Sequence, residues 1–152
     1  MELFMTKEEL KKQCDSEFEN IDAVVRELFL VVSPDRSEYT VVELTAIATF
    51  IHQAYNGIQN ILKRILLFDG FTIKEGTAAL NKDLLEKSAQ LGIIPLDLYQ
   101  TLLNYLTFSH FFINAYSLNL KWEKLKVLVD GLTDTLTKFK SEVNEYIYTI
   151  ET

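Results

Sequence analysis

Apolar residues recur at Leu10, Cys14, Phe18, Ile21, Val25, Leu28 and Val32, always three or four positions apart. That is the spacing of one face of an α-helix, which turns once every 3.6 residues, and it predicts a first helix ending near Ser33 and Pro34. The polar run over residues 33–39 separates it from a second set: Leu44, Ile47, Ile51, Tyr55, Ile58, Leu62 and Ile65. This set predicts a second long helix over roughly residues 38–68. Gly70 and Gly76 interrupt residues 69–80, which read as a structured loop before a short helix over residues 81–91, closed by Gly92. Pro95 stands where a first-turn proline opens a helix. Tyr99, Leu102, Leu103, Leu106 and Ile113 carry that fourth helix to about Tyr116. A last helix follows Asn119, on the face Trp122, Leu125, Val129, Leu132, Leu136, Phe139, Val143, Ile147 and Ile150.

Four long helices and one short one, joined by short connections, predict an all-α, up-and-down helical bundle in a single domain over residues 1–152. Only five Gly and two Pro punctuate the chain, and no repeat of solenoid length is visible. Such a bundle offers no sheet-edge crevice for a nucleotide. An active site has to be built from side chains that face across helices or across a dimer.

Composition narrows the function. With 48% apolar and 24% charged residues, the chain buries a core and is not globally disordered. Fifteen Lys and Arg against 22 Asp and Glu leave a net charge of −7, and no basic run is longer than a pair such as Lys11 and Lys12. Sequence-independent coating of nucleic acid needs clustered cations and is disfavoured. The single cysteine, Cys14, forms neither an intramolecular disulfide nor a cysteine-rich zinc site, and no metal or cofactor is expected. The first residues lack the basic-then-apolar layout of a secretory signal, and no apolar segment approaches a membrane span. A cytoplasmic protein without membrane contact is expected.

No phosphate-cradling glycine loop, GxSxG elbow, HExxH or Glu-x-x-His pair occurs, which removes most motif-borne enzyme classes. His52 shares an edge of the second helix with Asn56, Gln59 and Lys63 and reads as a surface histidine. Residues 108–116 (FSHFFINAY) are different, because polar side chains enter the apolar stripe. At about 100° per residue, His110 falls between Leu103 and Leu106, inside the stripe. Asn114 lies at one border, and Ser109 and Tyr116 lie together at the other. Two readings stand: a core histidine satisfied by a neighbouring hydroxyl or amide within an aromatic layer, or a recessed polar site at a helix or subunit interface.

Several further pieces accompany this segment: Tyr55-Asn56-Gly57-Ile58 and Arg64-Ile65 on the second helix, Leu84-Leu85 on the third, and Leu120-Lys121-Trp122-Glu123 after the stretch. Together they make the chain resemble the HepT-like branch of the HEPN superfamily, from about Ile21 to the end. The resemblance implies a small helical bundle that pairs as a homodimer. In many members it implies a metal-independent ribonuclease toxin encoded beside a nucleotidyltransferase antitoxin. The family motif is an arginine, a polar Asn, Asp or His, then a histidine, and two positions later a tyrosine that the antitoxin can modify with AMP. By position these are Ser109, His110, Asn114 and Tyr116, so the polar residue and the tyrosine are kept while the arginine and histidine are replaced.

The replacements have chemical consequences. The family's arginine would stabilise charge on the scissile phosphate, and its histidine would move the proton of the attacking 2′-hydroxyl. Ser109 carries no charge and Asn114 does not titrate. Loss of the charge-stabilising donor alone costs on the order of 10²–10³ in rate. Leu80-Asn81 also stand where the branch often has Trp-His. The resemblance therefore implies a catalytically impaired member of a toxin–antitoxin type system, kept as a dimeric binding module for a nucleotidyltransferase-type partner. The alternative is an active ribonuclease toxin using His110 and Tyr116, with RNA as substrate and a basic residue such as Arg64 or Lys121 supplied from another helix or subunit. A third reading is an orphan helical dimer whose Phe108, Phe111, Phe112 and Tyr116 only pack an interface.

Overall fold

The second apolar set forms the centre of the molecule. In the computed structural model, which describes residues 5–71 and 78–150, the set lies on α2 (Val41–Phe68), and α2 contacts every other helix. Around it stand α1 (Lys7–Val31), α3 (Ala78–Gln90), α4 (Leu96–Asn114) and α5 (Trp122–Thr149), with a single 3₁₀ turn at Ser117–Asn119. No strand occurs among the described residues. Ile47, Ala48, Ile51, Ala54, Ile61, Leu62 and Ile65 are fully buried on α2. Removing that much apolar surface from water is the main favourable term in folding.

Contacts between helix ends fix the directions. Lys7 at the start of α1 donates to the Tyr148 and Ile150 carbonyls at the end of α5, each at 3.0 Å. Tyr146 of α5 donates to Asp69, which caps α2, at 2.5 Å. Lys138 pairs with Asp97 across α4 and α5. Each helix of the set α1, α2, α4 and α5 thus runs opposite to the one before it, as an up-and-down bundle requires.

Several expected boundaries move for local reasons. The second helix starts at Val41 rather than near residue 38, because Thr40 and Glu43 form a capping box. Each side chain there satisfies a backbone N–H that the first turn leaves unpaired. Arg36 grips the same Glu43 through two hydrogen bonds of 2.7 and 2.8 Å, and its guanidinium lies over Tyr39. Pro95 is the N-cap of α4 rather than its first helical residue. α3 begins at Ala78, ahead of the expected 81; the expected loop over residues 69–80 falls partly outside the described residues.

Glycine serves two needs. Gly70 and Gly92 have φ of +90° and +76° and close α2 and α3 in the same way. Phe71 and Ile93 reach back to the carbonyls of Leu66 and Ser88, and the two glycine amides bond Leu67 and Ala89. This αL closure is available to glycine at little steric cost. Gly57 is needed for another reason: a Cβ there would strike Cγ1 of Ile21 and stand 2.7 Å from its Cδ1. The absence of a side chain here lets Ile21 of α1 pack directly onto the backbone of α2.

Candidate functional site

The residues singled out on the fourth helix occupy its C-terminal half, and α4 is turned differently from the sequence expectation. Its buried line is Leu98, Leu102, Tyr105, Leu106 and Ser109. Ser109, expected at a border, is 3% exposed and sits in the core line. His110, expected inside the stripe, is half-buried beside it. The difference traces to Tyr105, whose hydroxyl donates to the Leu128 carbonyl at 2.7 Å. With that polar end satisfied, the ring joins the buried face, 3% exposed, and the half-buried Leu103 lies on the opposite flank.

Two polar atoms in this segment are buried without a hydrogen-bond partner: Ser109 Oγ and His110 Nε2. The neighbouring hydroxyl or amide that a core histidine would need is thus not supplied to that nitrogen. Asn114 is exposed, and its side-chain amide donates to the His110 carbonyl at 3.0 Å. It bonds a last-turn carbonyl of its own helix, as short polar side chains do at helix ends. α4 stops at Asn114 instead of running to Tyr116. Ala115 is extended, and Tyr116 precedes the 3₁₀ turn with 80% of its surface exposed. The four motif positions are therefore a buried hydroxyl, a half-buried imidazole, an exposed amide and an exposed phenol.

The structure adds a second imidazole. His52 is half-buried rather than free on the surface: its ring lies 5.6 Å from that of Phe112 on α4, and its Nδ1 is buried without a partner. Nε2 meets the Asn56 amide at 3.2 Å. Burial holds the His52 pKa below its ordinary value of 6.5. The signal was present in the sequence, since His52 follows the fully buried Ile51 directly and lies one turn after Ala48 on the core edge of α2.

The basic residues named for an active site are placed elsewhere. Arg64 is twelve positions beyond His52, about 18 Å along α2, and is engaged with Gln13 at 2.8 Å and Glu17 at 3.1 Å on α1. Lys121 precedes α5 and borders a groove between α4 and α5. Among the described residues no group of His, Cys, Asp and Glu is arranged to hold a metal ion, and no helix is long and apolar enough to cross a membrane.

A family model described as "HepT-like protein" matches residues 46–150. The match runs from the first turns of α2 to the end of α5 and takes in Ser109, His110, Asn114 and Tyr116; α1, part of the expected likeness, lies outside it. No curated protein and no solved structure matches the chain. An all-helical fold with its polar segment at the end of α4, and a family match over most of its length, place this chain in the HepT-like family of the HEPN superfamily.

Proposed function

We propose that this HEPN-type, toxin-like domain is catalytically impaired and acts as a dimeric binding module paired with a nucleotidyltransferase-type partner in the cytoplasm. The observation that carries the reading is the state of the two defining motif positions. Ser109 is uncharged and buried, and Asn114 spends its amide on its own helix. Neither neutralises a scissile phosphate nor moves a proton, the two tasks the reaction requires. The ribonuclease alternative draws no support from Arg64, which is held by Gln13 and Glu17 on α1.

Support for a binding role comes from the surface around the same helix end. Phe111, Ile113, Tyr116 and Leu118 are 49, 65, 80 and 81% exposed. Large apolar side chains gathered at one place mark an interaction surface. The exposed Tyr116 hydroxyl is also the position that a nucleotidyltransferase partner would reach.

The test is incubation of the purified protein with a tRNA and messenger RNA pool in EDTA, beside His110→Ala and Tyr116→Phe, with solution mass measured in parallel. An inactive dimer is expected. Cleavage that disappears in His110→Ala would overturn the proposal in favour of a ribonuclease rebuilt around that histidine, and a clean monomer would remove the dimeric module.

A further inference from the structure

On the flank of α4 turned away from Ser109, a groove of about 560 Å³ runs along the seam with α5. Its volume falls in the range of small-molecule sites. The α4 wall is Asn104, Thr107, Phe108 and Phe111, a stripe about 10 Å long at 1.5 Å per residue. Leu125 and Leu128 of α5 face it, so the floor is apolar.

The two ends of the groove differ in polarity. Because α4 and α5 are antiparallel, the Phe111 end meets Asn119, Lys121 and Lys124, while the Asn104 end meets Leu128. Lys121 and Lys124 are exposed, and neither enters an ion pair or side-chain hydrogen bond among the described residues. In a chain of charge −7, two unpaired cations at one mouth of an apolar groove favour a ligand with the opposite polarity pattern. Long lysine stems also cover apolar surface while the ammonium groups stay in water.

We infer that this α4/α5 groove is a binding site for a small anionic amphiphile, a carboxylate with an apolar tail, its head group at Lys121 and Lys124 and its tail along Phe108, Leu125 and Leu128. The site uses none of the four motif residues and shares only Phe111 with the exposed apolar surface at the end of α4.

The probe is sodium decanoate, titrated into the full-length protein by calorimetry below its micellar concentration. One saturable site per chain is expected, with decyltrimethylammonium and 1-decanol each at least about tenfold weaker, since a charge-assisted hydrogen bond contributes on that scale. Lys121→Glu with Lys124→Glu, both at exposed positions, is expected to weaken decanoate about tenfold or more while leaving the helical circular dichroism unchanged. Thr107→Trp, also at an exposed position, fills the groove and abolishes binding. Equal binding of anion and cation, indifference to the double lysine variant, or no saturable binding would each overturn the site. So would a dimer whose mass falls to that of a monomer in Thr107→Trp, because a second copy would then occupy the groove.

Discussion

Replacing Gly57 by alanine tests the tight α1/α2 contact at Ile21. The new methyl would collide with Cγ1 of Ile21 and lie 2.7 Å from its Cδ1. Ile21 is 2% exposed and Cγ1 is the first atom beyond its Cβ, so relieving the contact takes a change of χ1 rotamer toward the shallow pocket that Ile21 and Gly57 line, or a shift of α1 off α2. Overpacking of this kind costs about 1–3 kcal/mol, and a collision with the near end of a side chain belongs at the upper limit. Alanine recovers about 0.8–1.0 kcal/mol through its helix propensity. The net loss is about 2 kcal/mol, a fall in Tm of roughly 4–8 °C for a chain of this size. Urea unfolding of Gly57→Ala, Ile21→Ala and the double variant measures it. Ile21→Ala alone is expected to cost about 2–5 kcal/mol for its cavity. In that background Gly57→Ala should be neutral or stabilising, because the obstructing atoms are gone and only the propensity gain is left. A Gly57→Ala protein as stable as the parent, or a double variant in which the two losses simply add, would refute the reasoning.

Three further outcomes follow from the site and the core. Ser109→Ala removes a buried hydroxyl that has no partner and should stabilise the fold by about 1 kcal/mol; a loss in urea midpoint would mean that the hydroxyl is satisfied. His52 has its pKa lowered by burial, so below its ordinary 6.5 the unfolded chain takes up a proton that the folded chain refuses. Stability is then full above that value and declines as pH falls toward the folded pKa; unfolding from about pH 7.5 to about pH 5.5 should show a larger drop in the parent than in His52→Gln, and equal drops would contradict this origin. Cys14 is 1% exposed and burial pushes its thiol up to about 11, so an aromatic disulfide reagent should label it only as fast as the chain opens, and rapid labelling of the native protein would show the thiol accessible.

Periodicity locates the helices because apolar residues recur every three or four positions along each of the long ones. Leu10, Cys14, Phe18, Ile21 and Leu28 are all buried on α1 as their spacing required. It was not enough for the end points. Val41 was set by the Thr40 and Glu43 side chains, and the stop at Asn114 by an extended Ala115; neither leaves a mark in an apolar pattern. The site was harder to read for a related reason. Its rotation depended on Tyr105, a polar-tipped ring that becomes a core residue only because the Leu128 carbonyl accepts its proton. That pairing joins two helices, and nothing in the sequence around Tyr105 announces it. His52 differs: its place beside Ile51 and Ala48 marks it as a residue on the core edge, while the ring that shields it, Phe112, belongs to α4 and is not legible from α2 alone.

The tight seam at Gly57 also bears on the order in which the chain assembles. α1 and α2 share the most extensive helix–helix contact in the molecule and are separated by only the nine residues 32–40. Closing so short a loop costs little chain entropy, and folds dominated by such near-neighbour contacts form quickly. The α1/α2 hairpin is therefore expected to be the nucleus. α5, whose far end meets α1 through the Lys7 ammonium and two carbonyls, would join once the hairpin exists. Pulsed hydrogen exchange during refolding would show α1 and α2 protected first; early protection confined to α4 and α5 would reverse the order. The family-matched residues 46–150 would then fold on a hairpin whose first helix lies outside the match.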